Sequence, residues 1–92
     1  MKVSLHAISR WRERIAPDLY KTWRDEWITD SILHSLAHSH EVQLRNKRER
    51  ISKLLKHGEK AQYHQCNDHV LVVVDGVVLS VYLYDKERWE RK

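Results

Sequence analysis

Residues 68–84, DHVLVVVDGVVLSVYLY, decide the fold. Two β-branched runs flank Asp75-Gly76, a pair that fits a two-residue type I′ turn with positive φ at both positions. A regular hairpin about that turn sets Val74 opposite Val77, Val72 opposite Leu79, Val70 opposite Val81 and Asp68 opposite Leu83. That side is aliphatic except at its open end, and it is the expected core face. Side chains alternate along a strand, so His69, Leu71, Val73, Val78, Ser80, Tyr82 and Tyr84 fall on the other side. This second face mixes aliphatics with a histidine, a hydroxyl and two phenols. Function is expected there.

Working outward, residues 61–66 read as another strand that turns at Asn67-Asp68 into the hairpin. Its simplest register adds His64 to the mixed face and points Tyr63 to the core. Residues 85–92 form a charged tail with one aromatic, Trp89, expected as a last helical turn. Asn46 is suited to cap a helix carrying Ile51, Leu54 and Leu55, with Gly58 closing it. Before it, Val42 and Leu44 alternate with polar residues, as in a short edge strand. Trp27, Ile28, Ile32, Leu36 and Ala37 repeat at helical spacing and predict the longest helix, from about Trp23 to His38, across the core face. Ser4 caps a first helix from Leu5 to about Ile15, which Pro17 stops. Residues 18–21 are a connector, and the first five residues hold at most a brief edge strand. The expected architecture is one α+β domain over 1–92, with two or three helices on one face of a small antiparallel sheet.

Composition narrows the class. At 92 residues there is room for one modest core. The aliphatic hairpin and four tryptophans call for burial, which argues against disorder of the whole chain. No apolar run is long enough to cross a bilayer, and the first residues lack the apolar core of a signal peptide, so a cytoplasmic protein is expected. One cysteine, Cys66, excludes an internal disulfide. The net charge of +4 favours an anionic partner.

Several constellations carry chemistry. His6, Arg10, Glu13 and Arg14 share one helix face. Arginine can neutralise a phosphate and histidine can move a proton near neutral pH, so the set suits phosphodiester chemistry. From spacing alone, the simpler reading is a solvated face laced by pairs such as Arg10–Glu13. His64, His69, Ser80, Tyr82 and Tyr84 on an open sheet face could stack bases and hold phosphates. Covering of that face by a second copy of the chain or a helix is the competing reading, since Leu71, Val73 and Val78 share it, and a homodimer would do so. The run Arg45, Lys47, Arg48, Arg50, Lys53 and Lys56 forms a basic track for a phosphate backbone, or else a solvated helix. His34 and His38 stand at i, i+4 with His40 nearby, but no glutamate follows His34 as a zinc-protease helix requires. Exposed helix histidines are the better reading, and no metal or cofactor is expected. Cys66 lacks a partner cysteine and a Gly-rich oxyanion loop, and reads as an inert strand thiol.

The first helix, with His6-Ala7, Arg10 and Glu13-Arg14 in the pattern HAxxRxxER, resembles the opening signature of small bacterial and phage proteins related to the RelE/ParE-like toxins. The closing strands, with Tyr63, VLVVVDG and VVLSVY, resemble that family's antiparallel sheet. The middle, 22–60, matches only in being helical and basic. The resemblance implies a RelE-like or microbial-ribonuclease-like fold with an open sheet face for RNA, free or ribosome-bound. Many relatives cleave RNA without metal through histidine, arginine, lysine or tyrosine. Carried over, His6, Arg10 and Arg14 match the helix signature, Ser80 stands where threonine is common, and Tyr82 matches the last-strand tyrosine. On this reading His6 is general acid or base, Arg10 and Arg14 hold the phosphate, and Tyr82 assists with His64 or His69. An antitoxin would be the natural partner. The alternative is a phage or mobile-element protein that binds and inhibits a host protein, using the same basic track.

Overall fold

A computed structural model describes residues 1–92. In chain order the elements are β1 (Lys2–Val3), α1 (Leu5–Arg14), α2 (Pro17–Tyr20), α3 (Asp25–Ala37), β2 (His40–Leu44), α4 (Lys47–His57), β3 (Gln62–Cys66), β4 (His69–Val74), β5 (Val77–Leu83) and β6 (Trp89–Arg91). The strands form one six-stranded sheet in the order β1-β5-β4-β3-β2-β6. All neighbours are antiparallel except β1 and β5, which run parallel. The architecture is α+β. No helix is long and apolar enough to cross a membrane.

The hairpin turn forms as its residues require, with φ of 50° at Asp75 and 77° at Gly76. Two residues on, the pairing departs from the regular register. Val73 faces Val78, but Val72 faces Ser80, Leu71 faces Val81 and Val70 faces Tyr82. Leu79 is the extra residue of a β-bulge. Because side chains alternate, that one residue re-sorts the two faces expected above. Leu71, Val73, Val78 and Val81 join Ala7, Ile8 and Trp11 of α1 and Ile28 and Ile32 of α3 in the main core. Ser80 and Tyr82 turn to the opposite face. There Val42, Leu44, Val70 and Trp89 form a second core, lined by Tyr63, Tyr82 and Tyr84.

Several expectations are thereby corrected. Leu71, Val73 and Val78 lie under α1 and α3 of their own chain, which removes their argument for a homodimer. His69 is buried among them, at 4 % exposure, and Ser80 is buried opposite Val72. His64 pairs with Leu71 as the simplest register has it, but on the side covered by α1 and α3, while Tyr63 joins the second core. The tail is a strand, and it makes β2 an inner strand: Leu44 pairs with Trp89. Arg45 donates from Nε to the Trp89 carbonyl at 3.1 Å, and Arg50 Nη2 donates to Glu90 at 3.1 Å, fastening that strand. Helices cover both faces: α1 and α3 one, α4 the other.

The ends of α1 and α4 follow their caps. Asn46 Oδ1 accepts from the N–H groups of Arg48 and Glu49, and α4 ends at Gly58 with φ 87°. Ser4 Oγ accepts from the Ala7 N–H at 3.0 Å and donates to the Leu79 carbonyl at 3.1 Å. The N-cap of α1 thus also anchors the bulge. β1 pairs with β5 only at Val77 and Val78, so the outer edge of β5 beyond them has no strand beside it. Side chains from α1 satisfy its carbonyls instead: Ser4 at Leu79 and Arg14 Nη1 at Val81, 2.7 Å.

Candidate active site

Tyr82 is the meeting point of three elements. The bulge turns it onto the second face of the sheet. There α4 presents Lys53, Lys56 and His57, spaced to share one side of that helix. Arg14, in the last turn of α1, reaches the open edge of β5. Its guanidinium carbon lies 5.2 Å from the Tyr82 ring centre, and the Lys53 ammonium lies 3.8 Å from it. The Tyr82 hydroxyl is 3.0 Å from His57 Nε2. A cavity of about 250 Å³ opens here, lined by Arg14, Lys53, Tyr82, Leu83, Arg88 and Trp89.

The electrostatics favour an anion. Arg14, Lys53 and Lys56 make no ion pair, whereas Arg88 is held by Glu49 at 3.2 Å. Burial holds the His57 imidazole below the usual histidine range, and Lys53, Lys56 and His6 push the same way. The neutral imidazole is therefore favoured at pH 7, and in the tautomer with its proton on Nδ1 the His57 Nε2 accepts the Tyr82 O–H. Burial alone would raise the Tyr82 phenol, but Lys53 and then Lys56 outweigh it, leaving the phenol below the usual tyrosine range. A phenol held below the usual tyrosine range, hydrogen-bonded to an imidazole beside unpaired cations, can move a proton next to a bound phosphate.

The chain matches no protein-family model, no curated protein and no solved structure. Its own geometry is what distinguishes the sites.

Of the residues singled out in the sequence, Arg14, Lys53, Lys56 and Tyr82 come together. His6 is exposed on α1, and its charge helps to lower the His57 pKa. Arg10 is held by Glu13 at 2.7 Å, the ion-paired face that spacing alone suggests. Arg45 and Arg50 bind carbonyls and Glu90, while Lys47 and Arg48 lie exposed at the start of α4. His64 and His69 point to the α1/α3 face, away from Tyr82, and His64 Nε2 lies 3.3 Å from Gln62 Oε1. The His34 and His38 rings lie 4.6 Å apart with their planes tilted by 58°, and no cluster of three His, Cys, Asp or Glu side chains is arranged to hold a metal. Sequence reasoning missed His57 and Arg88. His57 stands four residues after Lys53, and that spacing is the signal that could have found it.

The histidines make a prediction about stability. Burial lowers the pKa of His57, His64 and His69 below the free value of 6.5. Between those folded values and 6.5 the unfolded chain binds more protons, so stability rises with pH. It is fully present above about pH 6.5 and is lost as pH falls through the folded values. Urea midpoints are expected to fall between about pH 7.5 and pH 5.5. His69→Leu should flatten part of that slope; an unchanged slope would remove His69 from the account.

Proposed function

We propose that the protein binds RNA at the Tyr82 cluster and cleaves it without metal, in the manner of a RelE-like toxin. The observation that carries this reading is the Tyr82–His57 hydrogen bond set among Arg14, Lys53 and Lys56. The three cations hold the scissile phosphate and the charge that grows on it. The ribose 2′-hydroxyl gives its proton to the Tyr82 oxygen as Tyr82 passes its own to His57 Nε2. The 2′-oxygen bonds to phosphorus and the bond from phosphorus to the 5′-oxygen breaks. His6 gives the departing 5′-oxygen its proton. The products are a 2′,3′-cyclic phosphate and a 5′-hydroxyl, and the reaction requires RNA.

The test is incubation of the purified chain with RNA in excess chelator, with analysis of the product ends. Cyclic phosphates at the cuts, and cutting about a hundredfold slower in His57→Ala, are expected. Intact RNA, with and without ribosomes, would remove the enzymatic reading.

A second reading has its own observation. Ile51, Leu54 and Leu55 of α4 are exposed, Leu55 at 83 %. These apolar groups among lysines favour docking of a protein partner, either an acidic antitoxin or an inhibited host protein. Intact RNA together with a stable co-purifying partner would favour it.

A further inference from the structure

The cavity beside Tyr82 has Arg14, Lys53 and Arg88 in its walls and no carboxylate. Every other cavity of the chain is lined by acids or lacks lysine and arginine altogether. Three cations without an acid suit a polyanion. Arg14 and Lys53 already have a role in the reading above. Arg88 has none, yet it is the most firmly placed of the three.

Arg88 stands in the turn between β5 and β6. The backbone of that turn is fixed. The Arg88 and Trp89 N–H groups both donate to the Asp85 carbonyl at 3.0 Å, and the Arg88 carbonyl accepts from the Arg45 N–H at 2.8 Å. The side chain is fixed as well. Its Nε donates to Glu49, 3.2 Å from Oε1 and 3.4 Å from Oε2. Its two Nη groups make no hydrogen bond within the chain. The side chain is 51 % exposed, so a ligand can reach it. Arg14 is anchored in the same way, with Nη1 on the Val81 carbonyl at 2.7 Å and the rest of its guanidinium unbonded. Each arginine is held by one nitrogen and keeps the others for a ligand. A guanidinium fixed in advance loses less freedom when it binds an anion.

Glu49 is in the first turn of α4 and is not itself a wall of the cavity. A half-exposed ion pair of this kind adds little to stability, so what it supplies is the direction of the guanidinium. Arg88 also stands apart from the scissile position. Arg14, Lys53 and Lys56 all lie within 5.9 Å of the Tyr82 ring centre, whereas Arg88 shares the cavity without lying over that ring. An RNA strand carries a phosphate at every nucleotide, so a cation just beyond the first phosphate meets the next.

We propose that Arg88 holds the backbone phosphate next to the scissile one, and that Glu49 is the positioning residue that aims it. The Arg88 Nη groups donate to that phosphate while Nε stays on Glu49. The proposal rests on the RNA reading above, but its test needs no cleavage. It also opposes simple electrostatics in sign. An acid near an anion site should weaken binding, and its removal should strengthen it; a positioning acid does the opposite.

The test is binding of a short fluorescein-labelled 2′-O-methyl RNA, which has no free 2′-hydroxyl and is not cut, to the full chain over a series of salt concentrations. Arg88→Gln is expected to weaken binding about tenfold and to lower the slope of log K against log[salt] by about 0.7, the share of one phosphate on a single strand. Lys21→Gln makes the same change of charge at an exposed residue that lines no cavity, and is expected to stay within about twofold of the parent with its slope unchanged. Glu49→Ala is expected to weaken binding about threefold or more and to lower the slope as Arg88→Gln does. Glu49→Gln, which keeps an acceptor for Arg88 Nε, should recover most of that loss. Urea midpoints confirm that each variant is folded, and Arg88→Gln keeps the test open if Glu49→Ala disturbs α4. Tighter binding by Glu49→Ala, parent affinity and slope in Arg88→Gln, or an equal loss in Lys21→Gln would each overturn the proposal. An oligonucleotide bound through Arg88 by a protein that leaves RNA intact would sustain this contact while removing the cleavage reading. RNA cut by a protein whose Arg88→Gln variant binds as the parent does would do the reverse.

Discussion

Trp89→Ala is expected to destabilise the fold by about 3–5 kcal/mol, as loss of a buried tryptophan generally does. Trp89 is 2 % exposed and packs on Val42, Leu44 and Val70, with its ring 5.4 Å from that of Tyr63. A small domain has only about 5–15 kcal/mol to lose. The same indole backs the Tyr82 cavity, so the loss reaches the site as well as the sheet. Urea unfolding is the measurement, with Leu55→Ala as the exposed control, expected within about 0.5 kcal/mol of the parent. A loss at Trp89 no larger than the control's would mean that the last strand is not docked.

Tyr82→Phe is expected to slow RNA cleavage by about 10²–10⁴-fold while leaving the fold intact. The ring, with its cations and neighbours, is preserved; only the hydroxyl bonded to His57 is lost. Without it the proton has no path from the 2′-hydroxyl to the imidazole. RNA affinity should change little, since Arg14, Lys53 and Lys56 remain. Single-turnover cleavage and filter binding separate the two effects. Full cleavage by the phenylalanine variant would show that Tyr82 only supports the cations.

Parts of this arrangement were legible in the sequence for local reasons. Asn46 and Gly58 mark both ends of α4, Ser4 marks the start of α1, and Asp75-Gly76 fixes the turn, because caps and tight turns depend on neighbouring residues. The bulge at Leu79 was not legible. VVLSVYL carries no glycine or proline to signal it, and a regular register gives an equally continuous aliphatic face. The choice is made by distant partners: α1 and α3 cover Val78 and Val81, and Ser4 holds the Leu79 carbonyl. The same distance hid the role of the tail, since Trp89 needs Val42 and Val70 as neighbours before a strand is worth forming. At the site, Tyr82 stood out on the mixed sheet face and Arg14 on the first helix, both matched again by the resemblance, and Lys53 and Lys56 as part of a basic run. Only the fold could place His57 against Tyr82, and only the bulge could separate Tyr82 from His69.

The pairing of Lys2 and Val3 with Val77 and Val78 also bears on how the chain is made. The first strand emerges from the ribosome long before its only partner has been synthesised. Until residue 78 is free, Ser4 can cap α1 but cannot hold the bulge, and the apolar faces of α1 and α3 have no hairpin to cover. Contacts of such long sequence separation slow folding. The sheet therefore closes only after β5 is available, and the Tyr82 cluster cannot form before then.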